Sequence, residues 1–204
     1  MKKTGIVMPG YRVNDYILFL NPPIEFSNKI SSVRDEFNKE YKVPATPGKP
    51  NLLICSFTQL SMMEERVIRN LGQIAMAYHP FKVEVKDFGS FPSHTIYVKV
   101  TSKLPIQALV RKVRSEAQAL MKLNDDHKPY FSSEPHFTLG RKLKPWQYEK
   151  AWLEYSNKHF TGRFIASEML LLKREHEVDK SWEVAKHFKF ENLPIETKQG
   201  ELFQ

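Results

Sequence analysis

Two strand-like segments in the middle of this chain are joined by a link too short for anything but a hairpin. Phe81-Lys82-Val83-Glu84-Val85-Lys86 alternates apolar and charged residues, the pattern of a half-exposed strand. Gly89 to Pro92 reads as a turn, and His94 to Thr101 as the returning strand. Parallel strands need a crossover of about a dozen residues or more, so this pair is antiparallel. Elsewhere, short apolar strands alternate with segments of helical period. The combination predicts an α+β fold with antiparallel sheets and excludes a doubly wound parallel sheet.

Tyr16 to Leu20 reads as a buried strand ended by Pro22-Pro23, and Ile24 to Tyr41 as a helix carrying Ile30, Val33 and Phe37. Asn51 to Phe57 is a second apolar strand. Ser61-Met62-Met63-Glu64 has the form of a capping box opening a helix to about Ala77. Pro105 to about Leu123 has helical spacing, and Asn124 to Ser133 is a polar loop. Pro145 opens a helix to about Asn157, in which Tyr148, Trp152 and Tyr155 form one stripe suited to core packing. Trp146 lies in the same segment, and a base-stacking surface is the alternative reading of these aromatics. Phe164 to Lys173 and Glu183 to Phe190 complete the strands. The expected organisation is an N-terminal arm over 1–13, a single bilobal domain over 14–193 and a polar tail over 194–204.

The chain has 204 residues, 41% of them hydrophobic, enough for a packed core. Its formal net charge of +8 favours anionic partners such as phosphate esters, nucleotides or RNA. The basic residues are dispersed, so a generally basic soluble surface accounts for the charge equally well. A single cysteine, Cys55, excludes an intrachain disulfide and suits a reducing cytoplasm. No stretch approaches a membrane span, and the N-terminus lacks a signal-peptide apolar region. The expected location is the cytoplasm, with no membrane partner and a monomer favoured. Glycine-rich phosphate loops are missing, as are His or Cys pairs at metal-ligand spacing. Neither a metal nor a cofactor is expected.

The chemistry concentrates in Glu134-Pro135-His136-Phe137-Thr138-Leu139-Gly140-Arg141. On a strand, His136 and Thr138 point one way while Phe137 and Leu139 point into a core. An imidazole that moves a proton near neutral pH then stands beside a hydroxyl able to hold a phosphate oxygen. A fainter echo is Lys49-Pro50-Asn51-Leu52-Leu53-Ile54, again a proline leading into an apolar strand and then a helix.

These segments, with Phe88-Gly89-Ser90-Phe91-Pro92 before a strand, make the chain resemble the 2H phosphoesterase superfamily over roughly residues 14 to 175. The resemblance is to its bacterial 2'-5' RNA ligase-like and 2',3'-cyclic phosphodiesterase members. It implies two pseudo-symmetric lobes, each with an antiparallel sheet lining a central cleft and helices outside. It also implies metal-free chemistry on a cyclic phosphate or a 2'-5' phosphodiester, with a phosphate-containing small molecule or an RNA end as partner. Each lobe of that family supplies one His-x-Thr or His-x-Ser motif, because one imidazole acts as base and the other as acid.

His136 and Thr138 match the second motif and are the candidate catalytic pair. The first motif is Asn51-Leu52-Leu53, where Asn51 cannot exchange a proton and Leu53 cannot donate a hydrogen bond. Asn51, Leu53 and Cys55 are expected on the cleft face. Nothing beside Cys55 would lower its pKa, so it is no nucleophile. Catalysis is therefore expected to be weakened or altered, and a non-catalytic phosphate, nucleotide or RNA-end binding module is the alternative. Tyr97 and Lys99, on one face of their strand, are candidate contacts to a base and a phosphate. Arg141 falls by parity opposite His136, leaving an anion contact and a structural or rim salt bridge both open. His94 shares its face with Ile96 and Val98, as a histidine at the core edge. His127 lies in the loop before the motif strand, either solvated or swung over the cleft. His79, His159, His176 and His187 are expected at the surface.

Overall fold

The computed structural model describes residues 11–45, 48–92, 94–178 and 180–193. The predicted N-terminal arm falls almost wholly outside these residues, and the C-terminal tail entirely. In chain order the strands are β1 (Val13–Leu20), β2 (Leu52–Leu60), β3 (Phe81–Phe91), β4 (Thr95–Val100), β5 (Tyr130–Phe131), β6 (His136–Arg141), β7 (Thr161–Ala166), β8 (Glu168–Glu175) and β9 (Glu183–Lys189). The helices are α1 (Ile24–Glu40), α2 (Glu64–Met76), α3 (Lys103–Met121) and α4 (Pro145–Tyr155). One sheet runs β5-β2-β1-β8-β9 and the other β6-β4-β3-β7, with every pairing antiparallel.

Helices cover one face of each sheet. On the first sheet, the Tyr16 hydroxyl donates to Glu64 at the start of α2 (2.8 Å), and Gln59 donates to the Leu120 carbonyl of α3 (2.9 Å). On the second, Phe26 of α1 packs on Phe137 and Phe164, while Tyr148 of α4 donates to Ser90 (3.0 Å). The opposite faces line the cleft between the lobes.

Four expectations change. The turn read at Gly89–Pro92 starts later, because Gly89 to Phe91 stay paired with β4. The single strand read over Phe164–Lys173 is two, split at Ser167 between sheets; periodicity alone cannot reveal a change of partner. The loop read over Asn124–Ser133 contains β5, paired to Cys55 and Ser56. The capping box gives way to a 3-10 turn at Ser61–Met63, and α2 carries no side-chain capping bond at its N-cap, Met63. Glu64 is instead drawn away to Tyr16 and to Lys173, whose ammonium lies 2.8 Å off.

The two motif strands bulge at the same place. In β2, Leu53 lies opposite Phe19 and Cys55 opposite Leu18, so Ile54 is the extra residue. In β6, Thr138 lies opposite Tyr97 and Gly140 opposite Ile96, so Leu139 is the extra residue. Asn51-Leu52-Leu53-Ile54 and His136-Phe137-Thr138-Leu139 therefore correspond position for position, and the weak sequence repeat has a backbone counterpart.

Past its bulge, β6 comes very close to α1. A Cβ added at Gly140 would stand 2.5 Å from a ring carbon of Phe37, a fully buried side chain with nowhere to move. Gly140→Ala should cost about 1–3 kcal/mol, as overpacked cores do. A fall of several degrees in Tm by calorimetry checks this, at about 2–4 °C per kcal/mol for a chain of this size.

Candidate functional site

Strand pairing sets the cleft face of the second lobe. Lys99 lies opposite His136, Tyr97 opposite Thr138, and Thr95 opposite Arg141. Ile96, Val98 and Val100 point to the helices and are buried. Gly89 lies opposite Tyr97 on β3, and a Cβ there would stand 2.7 Å from the Tyr97 ring and 2.9 Å from Lys99 Cγ. The missing side chain is what lets the ring lie flat across the strand.

His136 is half-buried, with its ring 4.8 Å from that of Tyr97 and 5.0 Å from that of Phe91. Its Nδ1 lies 2.7 Å from the Glu134 carbonyl oxygen. A carbonyl only accepts, so Nδ1 carries the hydrogen and, in the neutral ring, Nε2 keeps the free lone pair. Burial holds the His136 pKa below its ordinary 6.5, outweighing the opposite pull of the Glu134 carbonyl and carboxylate. At neutral pH the ring is thus an uncharged base of fixed tautomer. Glu134 is itself tied to Lys103 by an ion pair, which steadies the segment before the strand.

Thr138 is half-buried, and among the described residues its hydroxyl has no protein hydrogen bond. Tyr97 is 9% exposed, and burial raises its phenol above the ordinary value. Lys99 is exposed and has no carboxylate partner among the described residues. Parity alone put Arg141 opposite His136, but the Leu139 bulge reverses it. Arg141 shares the cleft face with His136 and Thr138, exposed and without an ion pair among the described residues. One imidazole, one hydroxyl and these two cations thus line a single face of the sheet.

The first lobe presents a different surface. Asn51 is half-buried, and its side-chain amide donates to the Lys49 carbonyl at 3.2 Å. Leu53 is half-buried beside Phe19 and Ile17. Cys55 does not join them. The Ile54 bulge turns it to the helix side, 0% exposed and 4.0 Å from the Met121 sulfur, and burial pushes its thiol pKa far up. Ser56 takes the cleft face instead.

Other histidines fall elsewhere. His94 lies outside β4 and is exposed, not a core-edge residue, although its carbonyl receives the Leu143 N–H at 3.0 Å. His127 neither floats free nor covers His136; it stacks edge-on to His176 at 5.7 Å. His176 was expected at the surface, but its Nδ1 lies 2.7 Å from Asp15. Thr58 also donates to Asp15, at 2.9 Å, and Arg174 lies 3.4 Å from it. Burial works to raise the Asp15 pKa, but His176, Thr58 and Arg174 outweigh it and hold it low. The sequence signal for this group was a carboxylate at position 15 inside an apolar strand. Thr58 lies roughly 13 Å along β2 from Leu53 by strand rise, well away from the motif positions of that strand. A nearby cavity of about 560 Å³ carries Arg12 and Lys180 against Glu175 and Glu177. Its charges cancel, which does not favour a polyanion.

The fold has relatives. The chain is similar in structure to E. coli LigT complexed with 3'-AMP, with a TM-score of 0.63 and 16% identity over 88% of this chain and 98% of that one. It is equally similar to TT0787 of Thermus thermophilus, with a TM-score of 0.63 and 16% identity over 87% and 98%. LigT complexed with phosphate aligns at 0.61 and 13% identity, over 88% and 98%. No curated protein matches the chain in sequence. The family model of the 2'-5' RNA ligase superfamily matches residues 22–177, well over half of the 204 residues. The chain belongs to the 2'-5' RNA ligase superfamily, the 2H phosphoesterases.

Proposed function

We propose that this protein binds a phosphate ester of RNA or a nucleotide against β6 and opens a 2',3'-cyclic phosphate, or cleaves a 2'-5' linkage, with one histidine. The observation that carries this reading is the fixed tautomer of His136, with the free lone pair on Nε2 and the Thr138 hydroxyl beside it on the same face. Structural relatives complexed with phosphate, 3'-AMP, ATP and NADP+ support a phosphate-bearing ligand.

In this reading Nε2 removes a proton from the attacking water. Thr138 and Lys99 meet the phosphate oxygens as negative charge grows on them. Tyr97 and Phe91 flank the imidazole and offer ring faces to a base. The first lobe supplies no acid, because Asn51 does not titrate and Leu53 has no proton to give. The leaving ribose oxygen takes its proton from water, and turnover is slow.

Turnover and binding of a 2',3'-cyclic nucleotide by wild type and His136→Ala test the reading. Turnover lost in the variant supports it. Binding without turnover in the wild type would leave a phosphate-binding module. Neither binding nor turnover across a panel of phosphate esters would reject both.

The pH dependence is a separate check. A base works only when deprotonated, so kcat/KM should rise with pH along an acid limb whose midpoint, the depressed His136 pKa, lies below the ordinary 6.5. An acid-limb midpoint clearly above 6.5 would exclude His136 as the base.

A further inference from the structure

A cationic surface begins where the motif strand ends. Arg141, Lys142, Lys144 and Lys150 are all exposed, and among the described residues none has a carboxylate partner. Lys42 joins them, since Gln147 in the first turn of α4 donates to the carbonyls of Tyr41 (2.8 Å) and Lys42 (3.3 Å). Lys150 sits 5.9 Å above the Tyr41 ring. Glu149 is interleaved and Glu40 and Glu154 lie at Tyr41, so the five cations outnumber three carboxylates.

An aromatic ring stands among these charges. The stripe of Tyr148, Trp152 and Tyr155 packs inward as expected, Tyr155 being 1% exposed. Trp146 does not pack; 52% of it is exposed, one helical turn before Lys150. The surface also connects to the candidate site. The Phe91 ring lies against His136, and His94, three residues further on, receives the Leu143 N–H between Lys142 and Lys144.

We propose that this surface is the track for a single strand of RNA whose terminal phosphate lies at His136 and Thr138. The natural substrate is then a polynucleotide and not a mononucleotide. The proposal rests on the phosphate chemistry assigned to β6 above. From His136 to Arg141 the strand rises roughly 13–16 Å, beyond the span of one nucleotide whose phosphate sits at His136. Ligand contacts at Lys142 to Lys150 therefore require further nucleotides. Cations that meet backbone phosphates act on any sequence. A solvent-facing indole stacks only on a base that is not paired, which selects single strands.

The probe is a fluorescein-labelled single-stranded RNA of about twelve nucleotides ending in a 2',3'-cyclic phosphate, read by anisotropy over a salt series. The triple variant K142Q/K144Q/K150Q should bind it at least tenfold more weakly near 0.1 M salt. Its slope of log affinity against log salt should be shallower by about 2, at about 0.7 per phosphate contact. Trp146→Ala should weaken binding about fivefold or more. Turnover of a 2',3'-cyclic mononucleotide should be unchanged in both variants. RNA affinity and salt slope that match wild type in both variants would overturn the track. So would equal affinity for a duplex of the same length, which offers no free base to Trp146. RNA affinity that depends on the track while mononucleotide turnover is missing even in wild type would support the track and reject the chemistry at His136.

Discussion

Restoring the missing half of the motif should accelerate the reaction more than any other change. Asn51→His with Leu53→Thr is expected to raise turnover of a 2',3'-cyclic nucleotide by about 10²–10⁴, the worth of one positioned acid or base. That is about 3–6 kcal/mol of barrier. The prediction depends on the shared bulge, because Ile54 and Leu139 occupy the same place in β2 and β6. Positions 51 and 53 therefore stand in their lobe as His136 and Thr138 stand in theirs. His136 is held neutral by burial, so the new imidazole takes the acid role. The pH profile should gain an alkaline limb where that acid deprotonates. Leu53 is half-buried, so its loss removes part of a leucine side chain from the interior, about 1–2 kcal/mol. The fold should survive, which circular dichroism confirms before the rate is read. A folded double variant with unchanged rate would show that the two strands do not address the same phosphate.

Removing His136 is the converse experiment. His136→Ala should lower wild-type turnover by about 10²–10⁴, to the level sustained by water alone as base. Binding of the cyclic nucleotide should fall much less, since Thr138 and Lys99 remain on the same face. The split between rate and binding is the diagnostic feature. A group that acts only in the transition state lowers kcat, whereas a group that merely packs the site lowers affinity or stability. If turnover persists in the variant, the base lies elsewhere in the cleft.

Much of this arrangement was legible in the sequence. The short Lys86–His94 link required an antiparallel pair, and helical spacing located all four helices to within a few residues. His136 and Thr138 share a face because a strand has period two, and no tertiary information is needed for that. It is equally plain that Asn51 has no proton to exchange near neutral pH and that Leu53 has no hydroxyl.

Other features depended on how segments pair. The sequence reading expected Cys55 on the cleft face and Arg141 away from it, and the structure reverses both. The cause is one bulged residue in each strand, Ile54 and Leu139, which breaks the alternation. A bulge is fixed by the partner strand's register and has no reliable local signature. His176 also escaped notice, because Asp15 lies 161 residues away in sequence. Likewise, Trp146 and Trp152 sit in the same helix, and only packing against neighbouring elements shows which one is covered.

The sequence by itself determined the α+β class, the shared face of His136 and Thr138, and that Asn51 and Leu53 bring neither a titrating group nor a hydroxyl. These follow from local periodicity and side-chain chemistry. Only the tertiary structure decided that Arg141 joins the candidate site, that Cys55 leaves it, and that His136 carries its hydrogen on Nδ1. Each of those depends on a neighbour brought in by folding: a partner strand's register, a helix against a sheet, or a carbonyl at hydrogen-bond distance.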